Sequence, residues 1–134
     1  LKAVFDTNVL IAAFVAEGVC TKLLRRGRNR NFSLVICPFI LQEFQRILNR
    51  KFGATRREIQ DAVRLVREAA QLEVQPSEEI RGLCRDPDDD QILACAVAAG
   101  ADNLVTGDDD LLVLNEFREI RILKPKDFEL LFEG

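Results

Sequence analysis

Apolar positions along the chain alternate between strand-like runs and helical stripes. Lys2-Ala-Val-Phe5 is a short apolar run that Asp6 ends, and Val9 to Phe14 is too apolar for a loop. This reads as a strand, a bend at Asp6 and a short buried helix, since Asp, Thr and Asn all suit a bend or a helix cap. Gly18 breaks the chain. Cys20 to Arg28 reads as a short basic helix with Leu23 and Leu24 as its apolar contacts, ended by Gly27 and Asn29-Arg30-Asn31. Phe32 to Cys37 is a second strand, and Pro38 then suits the first turn of a helix. That helix runs to about Lys51, with Ile40, Phe44, Ile47 and Leu48 on one stripe. Thr55 to Glu58 fits a capping box, and Ile59, Ala62, Val63, Val66, Ala69 and Ala70 keep helical period to about Gln71. Leu72 to Gln75 reads as a third strand, closed by Pro76-Ser77, and residues 78–85 as loop or a helical turn. An apolar helix over Ile92 to Ala99, a fourth strand at Asn103 to Thr106 and an acidic short helix from Asp108 to Leu114 follow. A strand at Arg118 to Leu123 and a helix at Pro125 to Phe132 end the chain.

Strands alternating with helices imply a parallel sheet with right-handed crossovers. The expected fold is α/β, an α/β/α sandwich around a central parallel sheet of about five strands, with residues 1–134 as one domain. In such sheets the working site lies at the carboxyl ends of the strands, near the switch in strand order. Asp6 ends the first strand, Asp90 opens the helix before the fourth, and Asp108 follows the fourth.

Composition narrows the chemistry. The chain has no His, which removes Ser-His-Asp, Cys-His and His-based acid–base schemes and leaves carboxylates, metals and hydroxyls. Four cysteines, at 20, 37, 84 and 95, form no CxxC pair and lie in apolar or helical surroundings, so reduced, mostly buried thiols are expected. No apolar run approaches the length of a membrane span. Leu1 stands where a Met is usual, consistent with a trimmed start. No signal peptide is legible, because the apolar run after Lys2 is interrupted by Asp6, and the expected location is the cytoplasm.

The net charge of −3 is unevenly spread. Residues 22–67 carry twelve Lys/Arg against three acids, a net +9, and residues 68–134 carry six bases against seventeen acids, a net −11. Seven acids fall in two tight clusters, Asp86, Asp88, Asp89 and Asp90, then Asp108, Asp109 and Asp110. If the helix packs beside the strand that follows it, both clusters meet at one mouth. Crowded carboxylates repel, and hard oxygen ligands suit Mg²⁺ or Mn²⁺. A basic flank beside an acidic mouth suits a polyanion held by one part and cut by the other. The plainer reading leaves each Arg on a solvated helix face. Asp6 likewise stays open between site residue and plain helix cap. Glu43 could reach inward, or pair with Arg46 or Arg50. Asp86 and Asp88 are expected to cap or precede the helix, and Asp89 and Asp109 to face solvent.

Val4-Phe-Asp-Thr-Asn-Val-Leu-Ile11 resembles the opening motif of the PIN domain family. Leu41-Gln-Glu-Phe44 fits the family's second motif, Asp90-Gln-Ile-Leu-Ala-Cys-Ala96 resembles its third, and Val105-Thr-Gly-Asp-Asp-Asp-Leu111 its closing T-x-D motif. The four occur in family order across almost the whole chain. The Asp-Pro-Asp-Asp-Asp run at 86–90 further resembles a prokaryotic subgroup of toxin components akin to VapC-like toxins. The resemblance implies a metal-dependent ribonuclease. Its catalytic acids would be Asp6, Glu43, Asp90 and Asp108, and its Mg²⁺ or Mn²⁺ ligands Asp6, Asp90, Asp108 and Asp110. Thr7, Asn8 and Thr106 would orient them. RNA-binding is expected through Arg25, Arg26, Arg28, Arg46 and Arg50. With nine Phe but no Tyr or Trp, base stacking is limited, so salt-sensitive backbone contacts should dominate. A cognate antitoxin and a second copy of the chain are the expected protein partners, with no membrane.

Three functions stay open on these residues: a ribonuclease toxin, a housekeeping RNA-processing or DNA-repair nuclease, and a non-catalytic metal- or RNA-binding scaffold. Phosphoryl transfer through an aspartyl phosphate is disfavoured, because Asn8 stands where its D-x-D pattern needs a second Asp.

Overall fold

A computed structural model describes residues 1–133. The strands are β1 (Lys2–Phe5), β2 (Ser33–Ile36), β3 (Ala70–Glu73), β4 (Asn103–Val105), β5 (Glu116–Phe117) and β6 (Ile120–Leu123). The helices are α1 (Thr7–Val15), α2 (Val19–Arg28), α3 (Pro38–Phe52), α4 (Arg56–Ala69), α5 (Pro87–Ala99), α6 (Asp109–Leu112) and α7 (Pro125–Leu130). The strands form one sheet in the order β3-β2-β1-β4-β6-β5, parallel except for the β5–β6 pair. The chain winds outward from β1 to β3, then returns to set β4 against the other side of β1. The switch in strand order therefore falls between β1 and β4, where a crevice opens beyond the carboxyl ends of the strands.

The sheet has six strands rather than about five. The extra strand, β5, has only two residues and turns back onto β6 through Arg118 and Glu119, both at positive φ (48° and 69°). Hairpin turns of that shape usually announce themselves by Asn-Gly or Asp-Gly, and neither dipeptide is present here. β3 also begins two residues earlier than the apolar period suggests. Ala70 pairs with Leu34 of β2, so sheet pairing ends α4 while its helical pattern is still running.

Local signals explain most of the helices. Thr55 caps α4 reciprocally with Glu58, in the two hydrogen bonds of a capping box. Pro38, Pro87 and Pro125 stand at the starts of α3, α5 and α7, where a missing N–H is harmless. α5 is buried almost all round and packs against β1 and β2. Phe128 packs edge-on against Phe5 and Phe32, with the three ring centroids 5.1–6.1 Å apart, and seats α7 against the sheet. Among the described residues, no single helix is long and apolar enough to cross a membrane.

The expectation of reduced thiols is corrected at two positions. Cys37 and Cys95 form a disulfide with Cα atoms 6.2 Å apart, while Cys20 and Cys84 are free. Cys37 is the last residue before α3, and Cys95 sits mid-way along α5. Packing of α5 against β2 brings together two cysteines 58 residues apart, a proximity that their spacing does not reveal. The bond ties together the two helices that carry Glu43 and Asp89.

Candidate active site

Three helices, α1, α3 and α5, start at the carboxyl edge of the sheet, so their N-terminal N–H groups face the crevice and favour negative charge there. Asp6 leaves β1 at this edge, its backbone N–H donating to Val105 O of β4 at 2.9 Å. Although Asp6 precedes α1, its side chain makes no helix-capping hydrogen bond. Its Oδ2 instead accepts the Thr106 hydroxyl at 2.7 Å. Thr106 Oγ1 in turn accepts the Asp108 N–H at 3.0 Å, so one buried hydroxyl sets both acids. Asp108 Oδ1 caps α6 by accepting the Asp110 N–H at 2.9 Å.

The fourth acid is Asp89. One carboxylate oxygen from each of Asp89, Asp108 and Asp110 lies within 4.8 Å of the others. Asp89 is only 6% exposed, and its Oδ2 has no hydrogen-bond partner among the described residues. Burial, then the nearby charge of Asp108, pushes the Asp89 carboxyl up to about 7, with Asp6 adding to the rise. Burial likewise raises Asp6 to about 6, against the Thr106 hydroxyl, which pulls it down; the charges of Asp108 and Glu43 add to the rise.

Glu43 closes the other side. Its Oε1 accepts the Thr7 hydroxyl at 2.6 Å, and its Oε2 lies 3.5 Å from Arg46. Both readings of this residue therefore hold at once, since it reaches inward and also pairs with Arg46. Burial raises its carboxyl above the usual range, Thr7 opposes this, and the charge of Asp88 adds to it.

The structure thus brings Asp6, Glu43, Asp108, Asp110, Thr7 and Thr106 to one crevice. Asp90 is not among the three carboxylates that lie within 4.8 Å of one another. Asp90 is buried, and its Oδ1 accepts the Cys84 N–H at 2.8 Å, in the loop before α5. Asp89, expected to face solvent, takes the place beside Asp108 instead. The sequence holds a weak sign of this. Asp89 stands three, four and seven residues before Ile92, Leu93 and Ala96, each at most 1% exposed. Asp90 has Leu93 and Ala94 at the matching offsets, so a helix buried nearly all round leaves its phase almost unreadable. Asp86 caps α5 by accepting the Asp88 N–H at 2.9 Å, and Asp109 is exposed, both as expected. Asn8 is exposed. Asp102 accepts the Lys2 N–H at the far edge of the sheet.

The arginines divide in the same way. Arg46 borders the crevice through Glu43, and Arg50 lies further along, in the last turn of α3. Arg25, Arg26 and Arg28 end α2, which leads into the start of β2 at the edge of the sheet opposite the acids. There Arg26 pairs with buried Glu129 and lies over the Phe132 ring, 5.3 Å from its centroid.

A divalent cation fits the donor set. It is all carboxylate oxygen, without nitrogen or sulfur, as Mg²⁺ and Mn²⁺ prefer. Asp89 Oδ2, buried without a donor, is the atom such an ion would satisfy.

Comparisons with known proteins agree with this geometry. The fold is shared with VapBC2 from Rickettsia felis, in a crystal structure bound to a DNA fragment from its promoter. The TM-score is 0.65 at 16% identity, over 91% of this chain and 97% of that one. It is shared also with Mycobacterium tuberculosis VapC20, a toxin that cleaves the Sarcin-Ricin loop, with TM-score 0.57 at 16% identity over 89% and 98% of the two chains. No curated protein matches the sequence. The PIN domain profile matches residues 2–110, and this chain belongs to the PIN domain family.

Proposed function

We propose that this protein is a divalent-cation-dependent ribonuclease and the toxin of a toxin–antitoxin pair. The observation that carries the reading is the unpartnered, buried Oδ2 of Asp89 among the carboxylates of Asp108 and Asp110. Mutually repelling acids at the carboxyl edge of a sheet are costly to a scaffold and useful to a site that binds a cation. Asp6, Asp89, Asp108 and Asp110 would hold Mg²⁺ or Mn²⁺. When bound, such an ion lowers the pKa of water and offsets charge building on a phosphate.

The chain's own residues supply the rest. Thr106 holds Asp6 and Asp108 in register through its hydroxyl, and Thr7 does the same for Glu43. Glu43 has a raised pKa and a basic neighbour, which suits it to accept a proton from an attacking water. Arg46 stands where it can meet the RNA backbone. The fold shared with VapC20 and VapBC2 supports the toxin role, and an antitoxin would act by covering this crevice.

The test is cleavage of single-stranded RNA by purified protein with Mg²⁺ or Mn²⁺, with DNA, EDTA and Asp6→Asn as controls. Cleavage of RNA that EDTA and Asp6→Asn both abolish is expected. Cleavage surviving both, or none on any substrate, would overturn the reading. Expression in a bacterial host should arrest growth with the wild type and not with Asp6→Asn. Cleavage in vitro without growth arrest would point to a housekeeping nuclease.

A further inference from the structure

The loop that enters α5 is fixed more firmly than an entry loop needs to be. Cys84 donates its backbone N–H to Asp90 Oδ1 at 2.8 Å, and Asp90 is 4% exposed. Two residues on, Asp86 caps α5, and Pro87 sets the first turn. The backbone on both sides of Arg85 is therefore anchored, and a buried carboxylate is committed to one of the anchors.

The side chain held between these anchors is almost free. Arg85 is 88% exposed, and its guanidinium reaches Asp110 Oδ1 at 2.7 Å. An exposed pair of this kind contributes little to stability. Its meaning lies in the partner, because Asp110 shares the crevice with Asp89 and Asp108. Arg85 thus meets, from outside, a carboxylate that also lies among the acids of the crevice. A cation bound to these acids would compete with the guanidinium for the Asp110 carboxylate, and a displaced guanidinium would stand at the mouth with its donors free for a phosphate. A planar guanidinium fork suits two phosphate oxygens better than an ammonium does. Arg46, on Glu43, flanks the opposite side of the acids.

We infer that Arg85 is a further RNA-phosphate contact of this crevice, held beside it by its pair with Asp110, with Asp90 the positioning residue that anchors its loop. The inference rests on the cation-dependent nuclease reading above. It places the RNA backbone between Arg46 and Arg85 and off the basic end of α2.

Wild type, Arg85→Ala and Arg85→Lys decide it. Arg85 is exposed, so neither change threatens folding. The first readout is the melting temperature against Mn²⁺ without RNA. Arg85→Ala should reach half of its Mn²⁺ shift at a lower concentration than wild type, because no guanidinium competes for Asp110. The second is cleavage kinetics and the salt dependence of RNA affinity. Arg85→Ala should raise KM about tenfold, the loss of one charge-assisted phosphate contact, with kcat far less affected. Its slope of log affinity against log salt should flatten by about 0.7. Arg85→Lys should fall between the two. Unchanged Mn²⁺ response, KM and salt slope would leave Arg85 as solvated surface and overturn the inference. A higher Mn²⁺ requirement would overturn it too, since Arg85 would then be supporting the cation ligands. A wild type with neither a Mn²⁺ shift nor cleavage would sink the nuclease reading itself, and the inference with it.

Discussion

Thr106 donates its hydroxyl to Asp6 at 2.7 Å, joining residues one hundred positions apart. The bond ties the end of β1 to the end of β4, the two strands between which the order of the sheet reverses. Thr106→Val keeps the shape but leaves Asp6 Oδ2 and the Asp108 N–H without this partner. Removing one side of a buried hydrogen bond costs roughly 1–3 kcal/mol, so the variant should melt lower and need more Mn²⁺ for cleavage. A variant as stable and as active as wild type would mean that Thr106 does not set the acids.

Stability without metal should depend on pH in a direction set by these acids. The folded carboxyls of Asp6 and Asp89 lie at about 6 and about 7, raised from 3.8, and that of Glu43 is raised as well. The folded state therefore binds more protons than the unfolded one. Its advantage is complete below pH 3.8 and is lost as pH rises through about 6 and about 7. In EDTA the contribution of these acids to the melting temperature should fall between roughly pH 4 and pH 7.5. Asp89→Asn should flatten that fall and raise the melting temperature at neutral pH, by removing one repelling charge. A fall equally steep in wild type and Asp89→Asn would contradict the crowding inferred here.

Thiol titration of the denatured, non-reduced protein should find two free cysteines, Cys20 and Cys84, and four after reduction. Chain-entropy reasoning for a crosslink across 58 residues puts the Cys37–Cys95 bond at roughly 4 kcal/mol. Cys37→Ser should lower the melting temperature accordingly under oxidising conditions and far less under reducing ones. Four free thiols before reduction would refute the bond.

Arg26 should behave as a structural residue. Its pairing with Glu129 and its place over Phe132 hold α2 to α7, so Arg26→Ala should destabilise the fold. RNA affinity should change little, whereas Arg46→Ala should weaken binding with little loss of stability, since the Arg46 side chain is half exposed. The reverse pattern would move the RNA path to the α2 face.

Much of this arrangement is legible in the sequence. Asp6, Asp108 and Thr106 follow strands whose apolar runs are plain, and a strand end points at one edge of a parallel sheet. Glu43 follows Pro38 by a little over one turn, which fixes its height on α3. The choice between Asp89 and Asp90 was not legible. α5 is apolar on nearly every side, so its period does not select one of three adjacent aspartates. The Arg85–Asp110 pair and the Cys37–Cys95 bond join residues 25 and 58 positions apart through packing, which leaves no local mark. The basic segment does not form one surface. Its α3 part borders the acids, and its α2 part lies at the opposite edge.

The most direct test of the account is calorimetric titration of Mn²⁺ into wild type, Asp89→Asn and Asp90→Asn at pH 8. An Asn at 90 can still accept the Cys84 N–H, so Asp90→Asn should bind Mn²⁺ much as wild type does. Asp89→Asn should lose most of the binding, because it removes the buried oxygen that has no other partner. Retention by Asp89→Asn with loss by Asp90→Asn would contradict the site described here.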